Sequence, residues 1–275
     1  VVIPAFDEEK NIEGCLTHVL MSERPCSRWA VIVVDDQSSD NTVKIAEEAI
    51  VTVAGADQPG ATVLQAGPRP KGERWVGKNW GCSQAMEQIR SEWVLFIDAD
   101  VTLAPDAIRR ALHQSINENA DLFSLAPRLT CGCLAEWMVQ PIMASLLGLG
   151  FPILEANDPA STVAFAAGPF MLFRRDSYNA IGGHRALAGE VVEDLALARR
   201  IKEGGFRLRY VLGIDAVDLQ MYANLQALWE GWSKNWFLGL DRSISKSLGA
   251  GGVVLLMFTL PWLLLPASLT MACLS

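Results

Sequence analysis

Runs of apolar residues alternate with amphipathic stretches over residues 1–217, and this alternation restricts the fold more than any other feature of the chain. Short apolar runs bounded by turns are typical of buried strands, and apolar residues at helical spacing are typical of helices that pack on a sheet. A chain that repeats strand and helix in this way forms a mostly parallel, doubly wound sheet. We therefore predict an α/β fold, and 275 residues are enough for one large domain with a buried core.

The pattern places several loops at one edge of this sheet. The predicted strands are residues 1–3, 31–34, 62–65 and 93–97, and the predicted helices are residues 11–21, 42–51 and 78–90. Parallel strands end at the same edge of a sheet, and open α/β sheets bind their ligands there. We therefore expect four loops rich in carboxylates, Gly and Lys to meet at this edge, namely residues 4–9, 35–40, 67–78 and 98–100.

Acidic residues follow two of the predicted strands directly. Asp98 and Asp100 come one residue apart after the apolar run 93–97, where such a pair can chelate a divalent cation that binds a diphosphate. A solvated turn rich in Asp is the alternative interpretation. In the segment 35–42, Asp36 can accept a hydrogen bond from a base or a ribose, whereas Ser39 or Asp40 can cap the next helix.

Charge and cysteine usage exclude some classes of protein. The net charge of −8 and the absence of a basic stripe argue against a nucleic-acid partner. The cysteines lack paired C-x-x-C spacings, and we interpret them as reduced thiols facing the cytosol. They are Cys15, Cys26, Cys82, Cys131, Cys133 and Cys273.

The carboxyl-terminal stretch has the composition of a membrane span. No charged residue lies between Lys246 and the end of the sequence, and residues 252–274 are mostly apolar. About 20 apolar residues cross a bilayer core as a helix, although Pro261 and Pro266 would kink it. A buried core helix is the alternative. Lys234 and Arg242 precede the stretch, so the positive-inside tendency predicts that the preceding domain lies on the cytoplasmic face. We expect residues 248–275 to be a transmembrane segment cut short, and a further piece to be missing upstream of residue 1.

Glu193 and Asp194 open a predicted helix over residues 195–203. Basic residues lie near its end, and this charge distribution matches the helix dipole, so a stabilising role is one interpretation of the two carboxylates. Those basic residues are Arg199, Arg200 and Lys202. A carboxylate at a helix start that faces a cleft can instead act as a general base.

Four blocks of the sequence, in this order, resemble family 2 glycosyltransferases, which are inverting enzymes of the GT-A fold. The blocks are residues 1–9 (VVIPAFDEE), residues 33–42 (VVDDQSSDNT), Asp98-Ala99-Asp100 and Glu193-Asp194. The runs 75–80 (WVGKNW) and 229–235 (WEGWSKN) are similar to membrane-associated members that glycosylate carotenoid or hopanoid-type isoprenoid lipids. The resemblance covers residues 1–236. It implies a catalytic domain over residues 1–247, with a nucleotide-binding half (1–130) and an acceptor half (131–247).

The resemblance also implies roles for individual residues. Pro4, Glu8 and Asp36 would define the nucleoside pocket, with Asp98 by the ribose. Asp98 and Asp100 would hold Mg²⁺ or Mn²⁺ against the diphosphate, and Lys78 would add positive charge there unless it is an exposed lysine at a helix start. Asp194, beside Glu193, would be the catalytic general base.

The function implied is transfer of a sugar from a nucleotide-sugar, with uridine as the first and guanosine as the second choice of nucleoside, to a hydroxyl of a lipid or isoprenoid acceptor at a membrane. Two alternatives stay open: a polyprenyl phosphate or polysaccharide acceptor, and a catalytically silent nucleotide-sugar-binding module. The chain lacks the Q-x-x-R-W motif of many relatives, which argues against a processive polymer synthase. The apolar segment 131–154 either lines the path of an apolar acceptor or packs in the core.

Overall fold

The computed structural model describes residues 1–53, 59–222, 224–240, 242–262 and 264. Its strands are β1 (Val2–Ala5), β2 (Ala30–Asp35), β3 (Gly60–Gln65), β4 (Trp93–Ile97), β5 (Val101–Leu103), β6 (Leu122–Ala126), β7 (Arg128–Leu129), β8 (Phe170–Arg174), β9 (Leu208–Leu212) and β10 (Val217–Leu219). Its α-helices are α1 (Ile12–Leu20), α2 (Thr42–Val53), α3 (Gly77–Gln88), α4 (Ala107–Asn117), α5 (Leu134–Gly150), α6 (Ile153–Asn157), α7 (Arg175–Ala180), α8 (Glu193–Glu203), α9 (Leu225–Gly239) and α10 (Ile244–Val254). A 3₁₀ helix covers Gly183–Leu187, and a π-helical turn covers Leu255–Thr259.

A seven-stranded sheet in the order β3-β2-β1-β4-β8-β6-β9 forms the centre of the fold. β1 pairs in parallel with β2 and β4, β2 with β3, and β6 with β9, whereas β8 runs antiparallel to β4 and β6. The prediction of a mostly parallel α/β sheet is therefore confirmed. β5, β10 and β7 form a second, three-stranded sheet, in which β10 is antiparallel to β5 and parallel to β7.

Both faces of the main sheet are buried at its centre, which explains why β1 and β4 are almost continuously apolar, whereas the outer strands β3 and β9 are more exposed. Successive strand residues point to opposite faces, so Val2 and Ile3 of β1 belong to two different core clusters. Leu95 and Phe96 of β4 divide in the same way. Helices cover both faces, as expected for strands joined by helical crossovers.

The described chain divides into two compact units. The first contains residues 1–130 and 151–221 and holds both sheets, and the second contains residues 131–150 and the described part of 222–275. The second unit is helical and includes α5, α9 and α10. The expected division into a catalytic domain (1–247) and a membrane segment (248–275) stays a prediction.

One described helix has the length and composition of a membrane span. It covers Ile244–Trp262, with 19 residues, a mean hydropathy of 1.4 and no buried residue. It starts earlier than the predicted segment, and Pro266 and the rest of residues 265–275 lie outside the described part of the chain. Cys273 is also outside it, and the five described cysteines are free thiols.

Candidate active site

A cavity of about 300 Å³ opens at the carboxyl edge of the main sheet. It lies where β1, β2 and β4 end and α3 begins, so the predicted convergence of loops at this edge is confirmed. The residues that line it are Pro4, Ala5, Phe6, Glu8, Val34, Asp36, Gly77, Lys78, Gly81, Asp98, Ala99 and Asp100.

The loops after β1 and β2 are tied together by hydrogen bonds. Asp7 has a positive φ of 54°, and its carboxylate accepts a hydrogen bond of 2.7 Å from the Ser39 backbone N–H. Its own N–H donates to Ser38 Oγ at 3.0 Å. Asp40 Oδ1 accepts from the Thr42 N–H at 2.9 Å, which satisfies a backbone donor in the first turn of α2. The first helical hydrogen bond goes to Asn41 O, so Asn41, and not the predicted Ser39 or Asp40, is at the N-cap position. These bonds fix one wall of the cavity.

Asp36 and Arg69 form an ion pair in this wall. The Arg69 guanidinium contacts Asp36 Oδ2, and the Asp36 side chain is only 6% exposed. Asp36 Oδ1 has no hydrogen-bond partner among the residues that the structure describes. Gly77 packs against the pair, since a Cβ there would lie 2.2 Å from Asp36 Oδ2. The acceptor atom Asp36 Oδ1 therefore lies close to the Arg69 guanidinium, and Gly77 beside them has no room for a side chain.

Lys78 joins the carboxylate of Asp98, which lines the cavity, to Glu193 at the start of α8. Its Nζ lies 2.6 Å from Asp98 Oδ1 and 2.5 Å from Glu193 Oε1. Burial alone would lower the pKa of Lys78, but the charges of Asp98 and Glu193 outweigh it and raise that pKa well above the usual value. Lys78 is thus a half-buried, charged ammonium and not an exposed lysine at a helix start.

Asp100 carries a carboxyl group whose negative charge is poorly compensated. Burial, followed by the charges of Asp98 and Glu8, raises the pKa of Asp100 to about 7. Residues 1–53, 59–222, 224–240, 242–262 and 264 contain no group of three acidic, Cys or His side chains arranged to hold a metal. The two carboxylates of Asp98 and Asp100 nevertheless fit Mg²⁺ or Mn²⁺, because such ions take hard oxygen ligands and are commonly held by one or two carboxylates plus substrate phosphates.

Asp194 lies at the start of α8 and is held by backbone N–H groups. Gly168 N–H donates to Asp194 Oδ2 at 3.0 Å, and Leu195 N–H donates to Oδ1 at 2.7 Å. Burial and the adjacent charge of Glu193 raise the pKa of Asp194. A Cβ at Gly168 would lie 3.2 Å from Asp194 Oδ2 and 3.5 Å from Lys78 Nζ, so both charged groups lie close to the bare backbone at Gly168.

The structure brings the residues chosen from the sequence to one region of the first unit. Six of them line the cavity directly: Pro4, Glu8, Asp36, Lys78, Asp98 and Asp100. The other two, Glu193 and Asp194, do not line it; Glu193 contacts Lys78, and Asp194 accepts a hydrogen bond from Gly168, which lies close to Lys78. Sequence reasoning missed Arg69 and Asn79. Arg69 is one of several basic residues in the loop 67–76, and Asn79 lies within the run WVGKNW, which is the signal that marked this region.

The chain belongs to the family described as Glycosyl transferase family 2, whose sequence profile matches residues 1–182. It is similar to 4,4'-diaponeurosporenoate glycosyltransferase of Staphylococcus aureus, with 28% identity over 261 residues. That match covers 94% of this chain, and the chain spans 65% of the relative's length.

Solved structures share the fold. A mannosyltransferase from Pyrobaculum calidifontis in complex with GDP-Man and Mn²⁺ matches with a TM-score of 0.60 and 17% identity over 100% of this chain and 79% of its own. Staphylococcus aureus TarS in complex with UDP-GlcNAc matches with a TM-score of 0.54 and 16% identity over 82% of this chain and 59% of its own. At these identities the likeness establishes the GT-A type of fold alone.

Proposed function

We propose that this protein is an inverting glycosyltransferase that moves a sugar from a UDP-sugar to a hydroxyl of a lipid or isoprenoid acceptor. The observation that carries the proposal is the position of Lys78 between Asp98 and Glu193, with Asp194 beside it across Gly168. This arrangement puts a donor-binding cavity and a candidate base next to each other, as a single displacement at a sugar carbon requires.

Asp36 supports a uracil base in the cavity. Its buried Oδ1 has no hydrogen-bond partner among the residues that the structure describes, and uracil carries one N–H donor between two carbonyl groups. The Arg69 guanidinium, which is paired to the other oxygen of Asp36, would donate to one of those carbonyls in the complex. Pro4 and Glu8 complete this part of the pocket.

Asp98 and Asp100 are the residues that would hold Mg²⁺ or Mn²⁺ in the complex with donor. The bound ion would neutralise charge on the leaving diphosphate. The Mn²⁺ in the mannosyltransferase of the same fold supports this assignment. Lys78 contributes a second positive charge at the same place, because its ammonium already contacts Asp98 at 2.6 Å.

Asp194 is the proposed general base. Its two backbone hydrogen bonds orient the carboxylate, and its raised pKa makes it a better proton acceptor than an ordinary aspartate. As the acceptor hydroxyl attacks the anomeric carbon from the face opposite the diphosphate, Asp194 takes the hydroxyl proton. The bond to the diphosphate breaks in the same step, so configuration inverts and no covalent enzyme intermediate forms.

The rate of transfer should depend on pH through Asp194. The base acts only when deprotonated, and burial and Glu193 raise its pKa while Lys78 opposes the shift. We therefore expect kcat to be constant at high pH and to fall about tenfold per pH unit below a pKa well above the usual 4 of an aspartate. A pH profile of kcat at saturating donor measures this. In Glu193→Gln the fall of kcat should begin at a lower pH, because the charge that raises the pKa of Asp194 is removed. A fall of kcat that begins only near pH 4 in the wild type would contradict Asp194 as the base.

The second unit supports an apolar acceptor and a membrane location. On α5, Leu134, Trp137 and Met138 share one face and are 75%, 67% and 65% exposed. The same unit contains the apolar helix Ile244–Trp262. Scattered exposed apolar residues are ordinary, but an exposed apolar helix face in the same unit as a helix of membrane-spanning length is typical of proteins that lie against a bilayer. The relative named for 4,4'-diaponeurosporenoate also supports an isoprenoid acceptor.

We propose that the catalytic unit lies on the cytoplasmic face, because Lys234, Arg242 and Lys246 precede or open the helix Ile244–Trp262.

The exposed face of α5 should affect lipid acceptors only. We expect Trp137→Gln combined with Met138→Gln to lower turnover on an isoprenoid acceptor in mixed micelles about tenfold, since both side chains would lose apolar contact with the lipid phase. Hydrolysis of the donor in water should not change. A parallel pair on an exposed face of the first unit, Val51→Gln with Met21→Gln, serves as the control. Unchanged lipid turnover in the α5 variant would contradict the proposed contact of this face with the lipid phase.

A panel of nucleotide-sugars tests the proposed function most directly. The full chain in detergent is incubated with UDP- and GDP-sugars, Mn²⁺ and a lipid extract, and the nucleoside diphosphate released and the glycosylated product are measured. We expect a UDP-sugar to give an isoprenoid glycoside of inverted configuration. A product on a polyprenyl phosphate would replace the proposed acceptor, and nucleotide binding without transfer or hydrolysis would favour the silent binding module.

A further inference from the structure

The first residues of α3 bind the segment that leads into α8. The Val76 N–H donates to Ala188 O at 2.7 Å, and Lys78 contacts Glu193. Asn79 Nδ2 donates to Leu187 O at 2.6 Å and to Glu190 O at 2.8 Å. Residues 76–79 are therefore attached at several points along residues 187–193, which end one residue before Asp194.

Asn79 supplies what this attachment needs. It is fully buried, and both hydrogens of its carboxamide face backbone carbonyls, which only a donor group can satisfy. Its Oδ1 has no partner within the described part of the chain. A buried polar atom without a partner destabilises the fold. The two hydrogen bonds that Asn79 donates offset this loss of stability.

The same turn of α3 also forms part of the donor cavity. Gly77 packs on Asp36 and Arg69, and Lys78 contacts Asp98. The backbone that fixes the donor-binding side chains thus also fixes the segment that carries the base. Catalysis is sensitive to such placement, because a displacement of about 1 Å can cost about 10²-fold in rate.

We propose that Asn79 is a positioning residue for Asp194: through Leu187 O and Glu190 O it holds the start of α8 where the Asp194 carboxylate can take the proton of an acceptor hydroxyl that attacks the bound donor sugar. This inference rests on the proposed function and deepens it. Asn79 of the WVGKNW run thus donates its side-chain hydrogen bonds to the segment that leads to Asp194, whereas the neighbouring Lys78 contacts both Glu193 and Asp98.

Asn79→Asp tests the proposal, because the new side chain has the same shape but places carboxylate oxygens against two carbonyl oxygens. We expect kcat to fall about 10- to 100-fold, with the KM for the nucleotide-sugar and the thermal stabilisation by UDP with Mn²⁺ within about twofold of wild type. Asn79→Ala, which removes the donors without adding charge, should lose less. Both variants are expected to lose stability, so Ser177→Ala is the matched control: it removes the partly buried hydrogen bond to Asp121 and should keep wild-type kcat after the same loss in melting temperature.

The outcomes separate this inference from the function on which it rests. A wild-type chain that binds UDP but transfers no sugar contradicts the proposed function and, with it, this inference. An active wild type with unchanged kcat in Asn79→Asp overturns the positioning role. An equal loss of kcat in Asn79→Asp and in a Ser177→Ala variant of the same stability also overturns it, since a structural effect would then be sufficient.

Discussion

Replacing Asp194 by Asn is expected to abolish sugar transfer while leaving nucleotide binding nearly unchanged. The amide has almost the size of the carboxylate but cannot take a proton from the acceptor hydroxyl. A general base contributes about 10² to 10⁴ in rate, so kcat should fall by that factor. Asp194 does not line the donor cavity, so UDP with Mn²⁺ should raise the melting temperature of the variant as much as that of the wild type.

The control for this change is Asp176→Asn, which alters a carboxylate with 87% side-chain exposure at the start of α7. It should transfer sugar at the wild-type rate. One bond of Asp194 changes in the variant, because the new NH₂ group faces either the Gly168 or the Leu195 N–H, so a moderate loss of stability accompanies the loss of rate. An Asp194→Asn protein that turns over at more than about a tenth of the wild-type rate would contradict the base assignment.

Replacing Asp100 by Asn should weaken donor binding in a metal-dependent way. The variant loses one of two carboxylates at the end of β4, and an uncharged amide is a poorer ligand for a hard divalent cation. We expect the Kd for UDP in the presence of Mn²⁺ to rise at least about tenfold, which corresponds to about 1.4 kcal/mol. Isothermal titration of UDP with and without Mn²⁺ measures both values.

Without metal, the Asp100 variant should bind UDP as well as the wild type or better, since it removes a negative charge near the diphosphate. Comparison of the two titrations therefore distinguishes loss of a metal ligand from damage to the nucleotide pocket. Equal Mn²⁺ dependence in wild type and Asp100→Asn would rule out the proposed ligand. Asp176→Asn is again the unaffected control.

The sheet and its ligand edge could be predicted because their signal is local. β4 is a run of five apolar residues followed at once by Asp98, and such a run has few alternatives to a buried strand. Parallel topology then dictates that Glu8, Asp36 and Asp98 meet, although they are far apart in sequence. The antiparallel direction of β8 has no comparable local signal, because an apolar run has the same appearance in either direction.

The connections between the elements could not be predicted, since they depend on loops. Nothing in the sequence distinguishes Arg69 from Lys71 or Arg74 as the partner of Asp36, and the choice depends on the path of the chain between β3 and α3. The bonds from Asn79 to Leu187 and Glu190 join residues more than 100 positions apart. Backbone carbonyl acceptors have no residue type, so no sequence pattern reveals them.

The bare backbone at Gly168 also has a consequence for altering this protein. A single added methyl group would occupy the space between the acid and the ammonium without removing either charge. Libraries that aim to change sugar preference should therefore keep this position fixed and vary the walls around it. Conversely, Gly168→Ala keeps every ionisable group of the site and puts a methyl group 3.2 Å from Asp194 Oδ2, so the Asp194 carboxylate would have to shift by a few tenths of an ångström.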